Sequence, residues 1–204
     1  MTSPAEVQPE ITLGDALRAA RTGFGIQFGA RLLDLVVIYV LGLITGFGSG
    51  LLFAFLHARG LVASGWVERL QQPGLSVYAF ALLGAYLYHS LSEGLGGTTL
   101  GKLVCDLRVV QKHDGRPCTM AAAFKRDLAY YWDALFFGLV AYSSMSASPL
   151  YQRYGDKWAR TVVVDKDDFT AAARPSGETV AVGIITGSIA LLLCQFAGLA
   201  LRLL

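Results

Sequence analysis

The sequence predicts an all-α integral membrane protein with three firm transmembrane helices, a weaker fourth segment that spans or re-enters, and a small cytoplasmic β-like element. Three observations predict it. Hydrophobic residues make up 54% of the 204-residue chain and charged residues only 16%, against about 25% charged in soluble domains. Three stretches, Leu35–Leu56, Leu75–Leu91 with its flanks and Thr179–Leu201, are nearly free of charge. Each approaches the ~20 apolar helical residues that span a bilayer core. Between the second and third lie two polar loops, one with a β-branched run at Thr161–Val164.

These features exclude a soluble enzyme, a disordered chain and a disulfide scaffold as readings of the whole. A net charge of +2, scattered along the chain, gives no nucleic-acid footprint. Cys105, Cys118 and Cys194 fit no metal-ligand spacing and read as free thiols, so no metal or cofactor is expected. Residues 1–22 are polar, and the first apolar run is too long for a signal peptide and has no small-residue cleavage site after it.

In chain order, residues 1–10 hold two Pro and two Glu and read as disordered. Leu13, Ala16, Leu17 and Ala20 recur at helical spacing with Arg18 and Arg21 opposite. This predicts a short amphipathic helix, on the membrane surface or as a solvated lead-in. The first span, Phe28–Leu56, is long enough to tilt or project into water. Its Gly42, Gly46 and Gly50 are four apart, a spacing that lets helix backbones approach closely. After the loop His57–Gly74 comes the second span, Leu75–Ser92. In the polar segment Glu93–Arg126, Leu103–Val110 reads as a strand, Asp114-Gly115 as a turn, and Thr119 as the N-cap of a helix over Met120–Arg126.

The stretch Leu128–Leu150 is weaker, with Asp133 and four serines. One Asp near a helix centre costs about 2.5–3.5 kcal/mol on insertion, while each good apolar residue returns about 0.3–0.6. Tyr151–Asp168 is polar, and the last span, Thr179–Leu201, carries Gly183 and Gly187 as packing positions. The organisation is therefore a lead-in at 1–22, a membrane domain at 23–168, and a linker with a C-terminal helix at 169–204.

Lys and Arg collect on the cytoplasmic side of a membrane protein. If Leu128–Leu150 spans, ten of them fall inside and seven outside. If it re-enters, 14 fall inside and three outside. The second arrangement fits better and puts the two strand-like runs on one side, with the N-terminus cytoplasmic.

Ionisable groups at membrane depth are costly and become functional candidates. Gln27, Arg31 and Asp34 share one helix face, as do His89 and Glu93. Arg31, Asp34, Glu93, Asp133 and Asp156 are candidates for an ion or proton pathway, supported by Gln27, His89, Arg126 and Arg153. The alternative is that Arg31–Asp34 and Arg126–Asp133 are structural ion pairs that fix helix register, or that these groups are interfacial anchors. No catalytic signature is present. Gly94–Lys102 resembles a phosphate loop, but that motif needs Ser or Thr after its Lys, and Leu103 follows. The chain is not expected to be an enzyme.

Several ordered motifs carry a family resemblance. The first is Gly23-Phe-Gly-Ile-Gln-Phe-Gly-Ala-Arg-Leu-Leu-Asp34. The second is Glu93, then Gly97-Thr-Thr-Leu-Gly-Lys102 running on to Val110. Arg126 and Asp133 follow, seven apart, and then Arg153-Tyr-Gly-Asp-Lys-Trp-Ala-Arg-Thr-Val-Val-Val164. Over Gly23–Val164 the chain resembles the RDD family of small bacterial membrane proteins. The family's name refers to one Arg and two Asp. Asp34 and Asp156 match the two Asp, while Gln27 stands where the Arg usually lies and Arg31 follows one turn on. The resemblance implies an inner-membrane location. It also points to sodium/proton antiport, linked to some members, or to accessory roles in membrane complexes. The expectation is secondary transport of a monovalent cation or proton, with Asp34 and Asp156 as exchanging carboxylates tuned by Arg31, Glu93 and Asp133. The rival is a non-catalytic accessory or assembly factor that binds another membrane protein. The small size suggests a homo-oligomer.

Overall fold

A computed structural model describes residues 12–71, 74–167 and 175–202. The expected disorder of residues 1–10 and most of the linker after 168 lie outside the described residues. Ten helices and one two-stranded sheet appear among those described. Three long helices dominate: α2 (Phe24–Ala58), α4 (Leu75–Gly96) and α10 (Gly177–Ala200). Two of them, α2 and α10, are long and apolar enough to cross a membrane, and only 6% and 17% of their most apolar stretches are buried within the chain. A core helix of a soluble protein would be mostly covered, so these faces need an apolar solvent. The expected third span, α4, has 22 residues, but its C-terminal half is polar and buried: Tyr88, His89, Ser90, Ser92 and Glu93.

α4 and α10 run antiparallel in close contact. Gly183 lies against Gly96 and Ser92, Gly187 against Tyr88 and Ser92, and Gly198 against Val77 and Phe80. A Cβ at Gly187 would stand 2.6 Å from the carbonyl oxygen of Tyr88, so only glycine permits this approach. The other predicted glycine stripe behaves differently. Gly42 meets Gln195, which also accepts from the Thr45 hydroxyl at 3.0 Å, but no described atom comes within 4 Å of a Cβ at Gly46 or Gly50. That face does not pack within its own chain at those two positions.

Two strands, β1 (Leu107–Gln111) and β2 (Thr161–Asp165), pair antiparallel with Val109 opposite Val163. The expected strand over Leu103–Val110 therefore starts late. Thr99 caps a short helix, α5 (Leu100–Val104), and Asp106 turns the chain at φ 57 into β1. α1 (Leu13–Ala19) covers one face of the sheet, with Leu17 and Ala20 against Val110, Val162 and Val164. Its apolar face is taken by the sheet and does not lie on a membrane. The opposite face packs on Ala30 of α2 and on Cys118, Ala122 and Ala123. The last two belong to α6 (Met120–Leu128), whose N-cap is Thr119 as expected.

The stretch 128–150 is broken. α7 (Tyr130–Asp133) is followed by α8 (Leu135–Ser146), with positive φ at Phe136 and Gly138. Twelve residues of helix reach about 18 Å at 1.5 Å each, short of the ~30 Å hydrocarbon core. The chain then returns through α9 (Tyr154–Ala159) to pair β2 with β1. Both flanks of the stretch thus meet at the same end of the molecule.

Candidate functional site

Asp34 is fully buried on α2 and points at the loop between α4 and α5. The Tyr88 hydroxyl donates to it at 3.1 Å, the Thr99 hydroxyl at 2.6 Å and the Gly101 backbone N–H at 2.8 Å. His89 Nδ1 stands 3.8 Å away. Thr99 acts twice, because its side chain also accepts from the Lys102 N–H to cap α5. Gly101 presses against the Ala30 carbonyl, with no room for a side chain. The Gly-Thr-Thr-Leu-Gly-Lys motif is therefore a clasp around Asp34, built from neutral donors.

A second assembly joins α4, α5, α6 and α9. Arg126 is wholly buried and lies 3.1 Å from Glu93 and 3.0 Å from Asp156. Lys102 also pairs with Glu93, and Arg153 Nε lies 3.4 Å from Asp156. Asp156 further accepts from its N-cap backbone N–H at Arg153 and from the Thr161 hydroxyl at 3.3 Å. The Arg126 nitrogens are close to their carboxylates but off the hydrogen-bond directions, so charge rather than aligned bonding holds them. Burial penalises the Arg126 cation, but Glu93 and Asp156 outweigh this and raise its pKa. Burial likewise opposes ionisation of Asp156, yet Arg126 and Arg153 hold its carboxyl below the usual range. Burial also pushes Lys102 down, with the Arg126 charge adding to it and Glu93 opposing.

Asp127, next along α6, sits on the margin of this knot. Ser90 donates to it at 3.1 Å. Burial and the nearby Glu93 charge push its carboxyl up to about 6, against the pull of Arg31 and Arg126. Asp133 serves neither assembly directly. It accepts the backbone N–H groups of Tyr154 and Gly155, both at 3.2 Å, at the start of α9.

Both expected ion pairs are corrected by this geometry. Arg31 does not bond to Asp34; its guanidinium stacks over the Tyr130 ring at 3.7 Å. Arg126 pairs by charge with Glu93 and Asp156 rather than with Asp133. Asp34 and Asp156 share no partner. Gln27, at the usual Arg position, donates to the Thr22 carbonyl at 2.9 Å and so ties the start of α2 to the turn before it. The sequence places Thr99 and Lys102 in the family motif without marking either as a site residue, and nothing in it singles out Asp127 or Tyr88. The one available signal was Lys102 at the end of a motif rich in Gly and Thr.

Two cavities adjoin these groups. One of about 220 Å³ lies between α2 and α7–α8 and includes Gln27, Arg31, Asp133 and Arg153 among apolar walls. Another of about 130 Å³ includes Arg31, Tyr86, His89 and Asp127. Neither is lined by Asp34 or Asp156. Among the described residues, no group of three or more His, Cys, Asp or Glu side chains could hold a metal ion.

The motifs that build the clasp and the knot fall within residues 22–160, the range matched by the family model described as RDD family. The chain belongs to the RDD family. No curated protein and no solved structure matches. The RDD match takes in α2 through α9 and stops before β2 and α10. Asp34 and Asp156 are thus buried carboxylates in separate assemblies, and Gln27 lies beside Arg31 in the larger of the two cavities.

Proposed function

We propose that this RDD protein is a multi-pass bacterial inner-membrane accessory, non-catalytic, which presents a rigid cytoplasmic platform to another membrane component and does not itself carry ions. One observation supports this reading above the rest: both RDD carboxylates are saturated from within. Asp34 accepts from three neutral donors, and Asp156 is held by two guanidinium groups, a backbone N–H and a hydroxyl. An exchanging carboxylate needs access to water, and neither lines a cavity. In this reading α4 is the third span and Leu128–Leu150 re-enters from the cytoplasm. The N-terminus is cytoplasmic, which leaves 14 Lys and Arg inside and three outside.

Purified protein in liposomes tests the central claim. Sodium, lithium or potassium gradients should drive no proton movement above that of empty liposomes. Cysteine labelling tests the topology: Lys112→Cys and Lys166→Cys should both react from the cytoplasmic side, and periplasmic labelling at 166 alone would restore four spans. A second reading, cation/proton exchange, moves from Asp34 and Asp156 to Asp127. What favours it is that Asp127 lines the 130 Å³ cavity beside His89 and Arg31, with burial and Glu93 pushing its carboxyl up to about 6. Measurable flux that Asp127→Asn abolishes would establish it.

A further inference from the structure

Arg31 is a half-buried cation that neither carboxylate assembly uses. Its Nε is buried without a hydrogen-bond partner, and it enters none of the close ion pairs among the described residues. It faces the 220 Å³ cavity, where Arg153 reaches in from the N-cap of α9. The one carboxylate there, Asp133, already has both oxygens on backbone N–H groups. Two guanidinium groups against one satisfied carboxylate favour an anion. The rest of the wall is apolar, and it continues outward through Phe28, Leu32 and Leu35, which are 43%, 48% and 49% exposed on a face of α2 that only hydrocarbon suits. At roughly 30 Å³ per water, the space takes a phosphate-sized group and a few methylenes, not a whole lipid.

We propose that this cavity binds the headgroup phosphate of one anionic glycerophospholipid, with Arg31 and Arg153 on the phosphate and the acyl chains lying along Leu32 and Leu35. The inference rests on the membrane-embedded reading above and supplies that accessory with a ligand class. A soluble anion would match the two cations but would gain nothing from the apolar outer wall. An uncharged lipid would fill the space but give Arg31 no anion beyond the Tyr130 ring and Asp127 on its other side.

The test is native mass spectrometry of the full chain after reconstitution in equal parts phosphatidylglycerol and phosphatidylcholine. One phosphatidylglycerol per chain should be retained in preference to phosphatidylcholine. Arg31→Gln should lower that retention by about tenfold, roughly the loss of 1.4 kcal/mol, and Arg31→Lys should keep most of it. Ala141→Leu fills the cavity from its buried wall without altering a charge, and should also expel the lipid while the melting temperature holds. If Arg31→Gln does not fold, Ala141→Leu decides alone. Equal retention of the two lipids, or full retention by Ala141→Leu, overturns the proposal. Displacement of the lipid by glycerol phosphate overturns it too, since that marks a site for a soluble anion. Cation flux in liposomes reads the accessory proposal and is unaffected by any of these results, so the two fail separately.

Discussion

Two buried carboxylates, Asp34 and Asp156, are held by opposite means. Asp34 sits in a clasp of hydroxyl and backbone donors, with His89 Nδ1 3.8 Å away and outside hydrogen-bond reach. Asp156 sits in a knot of charges centred on Arg126. Hydrogen bonds from dipoles disperse a charge without needing another charge to be buried. A charge knot compensates each buried ion with a second one, so every member depends on every other. The clasp therefore joins α2 to the α4–α5 loop as a local latch. The knot joins four elements and should behave as a unit.

The largest expected effect tests that unit. Arg126→Met leaves Glu93 and Asp156 buried with one cation fewer between them. Removing one partner from a buried pair costs about 3–5 kcal/mol, enough to erase much of a marginal stability. Arg126→Lys should restore it only in part, because Lys lacks the fork that sets one nitrogen 3.1 Å from Glu93 and another 3.0 Å from Asp156. Melting curves in detergent decide this. A variant that melts with the wild type would reduce the knot to decoration.

The clasp should respond less. Asp34→Asn keeps the shape but turns an amide NH₂ toward donors that need an acceptor. One mismatched buried bond costs about 1–3 kcal/mol. Because Arg31 stacks on Tyr130 instead of pairing with Asp34, Arg31→Gln combined with Asp34→Asn should not recover the loss. The two changes should add to within about 0.5 kcal/mol, as independent sites do. Recovery in the double variant would mean that the pair forms after all, and the contrast between latch and knot would fall.

That mistaken pair marks where the sequence ran out. Three apolar runs and the asymmetry of Lys and Arg were enough to read the long helices and to bring the two strand-like runs together, though not their register. Composition and loop charge act over whole segments, so they survive without a structure. Partners of single side chains do not. Asp34 finds Tyr88 and Gly101 at separations of 54 and 67 residues, while local spacing offered only Arg31, three residues away. Gly183 and Gly187 do pack as their spacing suggested, but Gly46 and Gly50, with the same spacing, do not. Small residues permit an approach without causing one. Gly46→Leu should accordingly leave the melting temperature unchanged, whereas Gly187→Leu should lower it sharply, since overpacking a tight contact costs about 1–3 kcal/mol or more.

The smallest effect is a pH dependence, and it separates Asp156 from Asp127 on the margin of the knot by sign. Asp156 titrates below the ordinary Asp value of about 3.9, so its contribution is present above that pH and lost on acidification. Asp127, pushed up to about 6, runs the other way. Between about pH 4 and 6 the folded chain binds the Asp127 proton more tightly than the unfolded chain does. Stability from this group therefore falls as pH rises through that window, and is constant above it. Asp127→Asn holds the site neutral at every pH and keeps a partner for Ser90. It should flatten the dependence between pH 4 and 6 and raise the melting temperature modestly at pH 7, while leaving the acid limb from Asp156 in place. A variant that tracks the wild type across the whole range would place Asp127 in the knot as an ordinary ionised member. The charge count would then have to include it beside Glu93 and Asp156 against Arg126, Lys102 and Arg153. Flattening confined to pH 4–6 would instead leave Asp127 as a group at this site that exchanges its proton across that window, set between a latch and a knot that both stay fixed.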